Sequence, residues 1–179
     1  PFSSSLTSTS APFELMHCDV WTSPISSVSG YKYYLVLLDD YTHYIWTFPL
    51  HAKSDVHSVF IEFHAYISTH FNTPLRFLQC DNGREFDNLT NRQFFLSHGV
   101  VLRFSCPYTS PQNGKAERAL RTINDILRTL LLQASMPPVY WAEALRTATY
   151  LLNIRPTTKQ PHTTPFFSLH QTVPPYASL

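Results

Sequence analysis

The sequence predicts an α/β fold, a five-stranded mixed sheet flanked by helices. Three observations carry that expectation. Aromatic and β-branched runs of strand length fill residues 13–50, a helical hydrophobic period follows over 54–71, and short apolar runs then alternate with amphipathic stretches as far as residue 155.

At 179 residues the chain fits one domain with a sizeable core, and 44% hydrophobic with 14% charged residues excludes a disordered or fibrous protein. A net charge of +1 offers no global attraction for a polyanion, so any nucleic-acid contact must come from a local cluster of Lys and Arg. Cys18, Cys80 and Cys106 stand far apart without a C-x-x-C pair, which encodes neither a zinc knuckle nor a disulfide framework and leads us to expect a reduced, intracellular protein. With no run of 18 apolar residues and no basic-plus-apolar leader, neither a membrane span nor a signal peptide is expected. The opening "PFSSSLTSTSAPF" has no methionine and little to pack, so residues 1–12 are expected to be a linker or disordered segment cut from a longer chain.

"ELMHCDVW" alternates, with Leu15, His17 and Asp19 on one face and Met16, Cys18 and Val20 on the other, and reads as a strand. "YKYYLVLLDD" and "YIWTFPL" give two more, joined by short loops into an antiparallel meander. In "KSDVHSVFIEFHAYISTHF", Val56, Val59, Phe60, Phe63, Ile67 and Phe71 fall at helical spacing behind Ser54 as the expected N-cap. "LRFLQCD" at 75–81 is a short buried strand which, arriving through a helix, can lie parallel to the first. "NRQFFLSHG" predicts a short helix ending at Gly99, and "VVLRFS" the fifth strand. A long helix starts after Pro111 or at Asn113 and stops at Met136-Pro137-Pro138. Its apolar stripe is Ala116, Ala119, Leu120, Ile123, Leu127, Leu130 and Leu131; Lys115, Arg118, Arg121, Asp125 and Arg128 lie opposite. A second amphipathic helix, "YWAEALRTATYLLNI", ends near Arg155-Pro156. The Pro-rich residues 156–179 then predict an extended tail packed by aromatic anchors, which leaves 13–155 as the core domain.

Position selects among the carboxylates. Asp19 lies toward the end of the first strand and Asp81 closes the fourth, so adjacent parallel strands would bring both to one sheet edge, where α/β sites form. Asp39 and Asp40 end a strand running the other way and are expected at the opposite edge. Glu117 could reach the first edge if "CPYTSPQNG" folds back. Three converging carboxylates repel one another unless a cation neutralises them, and an all-oxygen donor set favours Mg²⁺ or Mn²⁺. Two such ions about 3.5–4 Å apart are a known apparatus for phosphodiester displacement. The basic neighbours of Glu117 would then hold the nucleic acid.

"HCDVW" around Asp19, "CDNGREF" around Asp81 and "SPQNGKAER" around Glu117 resemble the Asp, Asp, Glu integrases of retroviruses and retrotransposons, specifically the copia-type branch. Thirty-five residues, 82–116, separate Asp81 from Glu117, the spacing that family uses. The resemblance extends through "YLVLLDDYTHYIWTFPL", "WAEALRTATYLLNIRP" and "TTPFFSLHQTVP". It implies a ribonuclease-H-like fold, DNA integration, and Asp19, Asp81 and Glu117 as the catalytic residues and ligands of two Mg²⁺ or Mn²⁺ ions when substrate is bound. It further implies double-stranded DNA, both element ends and target, as partner, with Gln112, Asn113, Lys115, Arg118, Arg121 and Arg128 as DNA contacts. A homo-oligomer without membrane attachment is expected, nuclear at integration and in an intracellular particle or the cytoplasm before it. Relatives carry an amino-terminal zinc domain and a further carboxy-terminal region, and often a small residue where this chain has Arg84.

Two other readings stay open on the residues alone. A ribonuclease H would need a further acid, for which Glu62 is the candidate; a non-catalytic nucleic-acid-binding module would carry the triad by chance. Gly83 is expected to provide a left-handed turn after Asp81. His17 and Cys18 are expected to be strand residues without zinc, and Tyr33, Tyr34, Trp46, Phe48, Phe60 and Phe63 core aromatics, with Trp141 packing its helix onto the domain.

Overall fold

The structure, a computed structural model, describes residues 9–105, 114–156 and 163–176. In chain order the elements are β1 (Leu15–Thr22), β2 (Tyr33–Asp39), β3 (Ile45–Leu50), α1 (Val56–Phe71), β4 (Phe77–Cys80), α2 (Leu89–Ser97), β5 (Val101–Phe104), α3 (Gly114–Gln133), α4 (Trp141–Ile154) and α5 (Pro165–His170). The sheet runs β3-β2-β1-β4-β5. β1, β2 and β3 pair antiparallel, while β4 lies parallel to β1 and β5 parallel to β4, as the meander followed by helical crossovers requires. None of the described helices is long and apolar enough to cross a membrane.

Strand alternation divides the core between the two faces of the sheet. Met16 and Cys18 of β1, Leu35 and Leu37 of β2, and Leu78 and Cys80 of β4 point to the face covered by α1 through Val56, Val59, Phe60, Phe63 and Ile67. Tyr34, Val36 and Leu38 of β2 point the other way, against Ala119, Ile123, Leu127 and Leu131 of α3 and Trp141, Leu145, Ala148 and Leu152 of α4. Each such fully buried aliphatic side chain contributes roughly 1.5–3 kcal/mol relative to exposure. Because Asp19 stands opposite Val36 in the register, it shares the α3 face. The edge strand β3 is closed by α4: Asn153 accepts from the Ile45 N–H and donates to the Ile45 carbonyl, both at 2.8 Å, standing in for a neighbouring strand.

Several expectations change in detail. Ser54 does not cap α1; it lies inside a 3₁₀ turn over residues 53–55, and Asp55 instead accepts from the His51 and Ala52 N–H groups. α2 begins at Leu89, capped by Asn88, whose side chain accepts from the Asn91 N–H. Gly99 follows α2 with φ +70°, but Gly83 is not among the positive-φ glycines, so it supplies something other than a left-handed turn. Residues 9–12, expected to be loose, meet the core: Thr9 donates to Asp40, and Ser10 donates to Glu14. The tail is not extended throughout. Thr164 caps α5 by accepting from Phe167 N–H, and Pro165 sits at its first position. Leu169 enters the core while Phe166 and His170 pack on Tyr44, so the aromatic anchoring is present in helical form. Cys106 and the alternative starts of the long helix before Gly114 lie outside the described residues.

Candidate active site

Asp19 is carried in the middle of β1, paired with Val36 of β2 and two residues past His17, where the pairing of β1 with β4 ends. Its Oδ1 accepts from the Val20 N–H at 2.8 Å. β4 ends at Cys80, and Asp81 is the first residue beyond it, with Oδ1 accepting from the Gly83 N–H at 2.9 Å. Glu117 stands exposed in the first turn of α3, the helix that covers the Asp19 face.

Electrostatics ties the three together. Burial, opposed by the Val20 hydrogen bond and reinforced by the negative charges of Asp81, Glu117 and Glu85, pushes the Asp19 carboxyl up to about 6. Asp19 therefore feels both partners that the sequence assigned to it. Among the described residues, no three His, Cys, Asp or Glu side chains are gathered closely enough to enclose a metal ion. The donor set is nonetheless all-oxygen, which fits a hard divalent cation.

Glu85 is the acid the sequence reading missed. A β-carbon built on Gly83 would lie 2.7 Å from Glu85 Oε2 and 2.9 Å from Asp81 Oδ1, so Gly83 provides room for two carboxylates to approach. Its place four residues after Asp81 in "CDNGREF" was the available signal. Glu62 is exposed on α1, which covers the opposite face of the sheet from Asp19, so it cannot serve as the further acid of a ribonuclease H site.

The two rival acids are structural. Asp39 is fully buried and accepts from Phe13 N–H (2.8 Å), Thr42 N–H (2.8 Å) and Thr42 Oγ1 (2.7 Å). Asp40 Oδ1 meets both His17 Nε2, at 2.8 Å, and the Lys115 ammonium. Burial alone would raise Asp40, but hydrogen bonds from His17 and Lys115 outweigh it and hold its carboxyl well below the usual carboxylate range. His17 is thus paired with Asp40, and Cys18 faces the other side of the sheet.

Of the expected DNA contacts, Lys115 is tied to Asp40, while Arg118, Arg121 and Arg128 are exposed along α3. The Arg118 guanidinium folds back over Gly114, where a β-carbon would come within 3.2 Å of it. Arg128 makes a 3.4 Å contact with Asp125 at the surface. Gln112 and Asn113 lie outside the described residues. Asn124, on the same helix, accepts from the buried Tyr34 hydroxyl at 3.3 Å and fixes α3 against β2.

A β3-β2-β1-β4-β5 mixed sheet with acids at the middle strand, at the end of its parallel neighbour and on the covering helix defines a retroviral-type integrase catalytic core. Residues 9–110 match the integrase core domain, and the chain belongs to that family, on its copia-type retrotransposon side. The match includes Asp19 and Asp81 and ends before Glu117.

Relatives that extend over the whole chain are the retrovirus-related Pol polyproteins from transposons RE2 and RE1 of Arabidopsis thaliana, 40% and 39% identical over 179 residues. That from transposon TNT 1-94 of Nicotiana tabacum is 35% identical over 144 residues, 80% of this chain and 11% of the polyprotein. The chain spans 12% of the length of the two Arabidopsis polyproteins. A chain of the simian T-cell lymphotropic virus intasome, solved with PP2A regulatory subunit B56 gamma, superposes with a TM-score of 0.72 at 16% identity, over 92% of this chain and 56% of that one. The HTLV-2 integrase catalytic core domain, solved with magnesium in a trimeric form, gives 0.64 at 18% identity over 88% and 96%. The fold is accordingly ribonuclease-H-like.

Proposed function

We propose that this chain is the catalytic core of a divalent-metal-dependent polynucleotidyl transferase that trims element DNA ends and joins their 3′-hydroxyls to target DNA. The observation that supports this reading is the placement of Asp19 on the α3 face of β1, Asp81 just past the parallel β4 and Glu117 in the first turn of α3, where burial and then the charges of Asp81 and Glu117 raise the Asp19 carboxyl. Bound Mg²⁺ or Mn²⁺ would activate the attacking oxygen and stabilise the leaving one.

The chain's own residues supply the rest. Asp19, fixed by its pairing with β2, Asp81 just past β4 and Glu117 at the exposed start of α3 would hold the ions. Arg118, Arg121 and Arg128, with Lys115 once released from Asp40 and Gln112 and Asn113 before the helix, hold phosphates so that the 3′-oxygen lies in line with the target phosphorus. A new P–O bond forms as the opposite P–O3′ bond breaks. The attacking hydroxyl gives up its proton to solvent, and the released 3′-oxygen takes one up. Joining two DNA ends calls for more than one copy of the chain, acting in the nucleus at integration and held in an intracellular particle or the cytoplasm before it.

The test is disintegration of a branched DNA in Mg²⁺ or Mn²⁺, the reversal of strand transfer. Metal-dependent resolution that Asp81→Asn abolishes supports the proposal; resolution that survives Asp81→Asn, or a wild type that neither resolves the branch nor binds metal, overturns it.

A further inference from the structure

Between β4 and α2 a short segment carries Glu85 in a geometry unusual for a loop carboxylate. Its side chain is only 11% exposed. The backbone around it is fixed: the Asn88 and Asn91 side-chain amides both donate to the Glu85 carbonyl, at 3.2 Å and 2.9 Å, and the Phe86 and Asp87 N–H groups close onto the Gly83 carbonyl. The buried Phe86 ring anchors the turn. The carboxylate is fixed as well. Oε1 accepts from the Lys53 ammonium, which arrives from the 3₁₀ turn before α1, and Oε2 and Asp81 Oδ1 lie 2.7 Å and 2.9 Å from the point that a β-carbon on Gly83 would occupy.

Two carboxylates held this close on a rigid turn repel each other unless a cation stands by. In this structure that cation is Lys53. We infer that Glu85 is a fourth acidic group of the metal site and Lys53 its built-in counter-charge, the ammonium and a divalent ion at Asp81 competing for the same negative charge. The inference rests on the proposed metal dependence and goes beyond it. Glu85 raises the site's affinity for a divalent ion and Lys53 lowers it, so the pair sets how much free metal the site needs.

The two charges must therefore act with opposite sign. Removing a unit charge about 6 Å from a divalent ion changes its affinity roughly tenfold even at the dielectric of water, and by more in surroundings between protein and water. Mn²⁺ alone is titrated by calorimetry into the wild type, Glu85→Gln, Lys53→Met and the double variant, with thermal unfolding in EDTA alongside. Glu85→Gln should weaken Mn²⁺ binding by at least that factor, Lys53→Met should tighten it, and the double variant should return close to the wild type. Lys53 is 44% exposed, so its replacement is tolerated by the fold and keeps the test open even if Glu85→Gln unfolds. A pair that merely braces the turn would weaken Mn²⁺ binding and lower the EDTA melting temperature in both single variants alike; that result, or an unchanged affinity in Lys53→Met, overturns the inference while leaving the metal site standing. A wild type that binds no Mn²⁺ overturns the metal reading together with it.

Discussion

Burying a carboxylate beside other acids costs the protein stability when no metal is present, and Asp19→Asn measures that cost. The Asp19 carboxyl rises from an ordinary 3.8 to about 6, by burial first and then by Asp81, Glu117 and Glu85. At 1.36 kcal/mol per tenfold this corresponds to about 3 kcal/mol, and solvent at this half-buried position reduces it to about 1–2 kcal/mol. The sign follows from where each state ionises. Above pH 6 the carboxyl is charged in both folded and unfolded chains, and the folded state bears the whole penalty. Between pH 6 and about 4 the folded state takes up a proton first, and the penalty disappears. Asp19→Asn should accordingly stabilise the protein in EDTA by about 1–2 kcal/mol at pH 7.5 and by nearly nothing at pH 4, read from urea unfolding midpoints. With Mn²⁺ present the order should reverse, because only the wild type gains from the ion. A variant that is destabilised at pH 7.5, or whose difference from the wild type is the same at both pH values, would refute the reasoning.

Three further outcomes are expected. Glu117→Gln, at an exposed position, should change stability by less than about 0.5 kcal/mol while abolishing metal-dependent disintegration; a large loss in urea unfolding would assign Glu117 a structural role instead. Asp39→Ala leaves the Phe13 and Thr42 N–H groups and the Thr42 hydroxyl without an acceptor in the interior, which at about 1–3 kcal/mol for each orphaned donor, less what the hydroxyl recovers by rotating, should cost about 3–5 kcal/mol by urea denaturation. Arg121→Ala should weaken DNA binding equally across sequences and reduce the slope of log K against log salt by about 1, checked by fluorescence anisotropy from 50 to 200 mM salt.

Local pattern carried most of this architecture. The alternation of "ELMHCDVW" placed Asp19 and Met16 on opposite faces, and a helix between the hairpins and "LRFLQCD" was enough to make β4 parallel to β1, which brings Asp81 to the edge where Asp19 lies. The helical stripe of α3 was legible for the same reason, since burial of one face leaves a 3.6-residue period. What escaped depends on contacts between distant parts of the chain. Nothing near Lys115 shows that Asp40, 75 residues earlier, draws its ammonium. Glu85 stands in the Asp81 motif, but nothing local shows that Lys53 and the Asn91 amide hold it beside Asp81. Gly83 was assigned a backbone role because glycine commonly serves one, whereas here it serves by lacking a side chain. α5 is a different case, because the Thr164-Pro165 cap that starts it is a local signal, outweighed in the sequence reading by the prolines around it.

Whether Asp19, Asp81 and Glu117 converge on divalent metal is decided by the anomalous scattering of Mn²⁺ in crystals of this chain. A peak bounded by the Asp19 and Asp81 carboxylates is expected, lost in Asp81→Asn, with Glu117 turned toward the same volume. An Mn²⁺ peak elsewhere in the molecule, or none at a concentration that saturates binding in solution, would contradict that convergence.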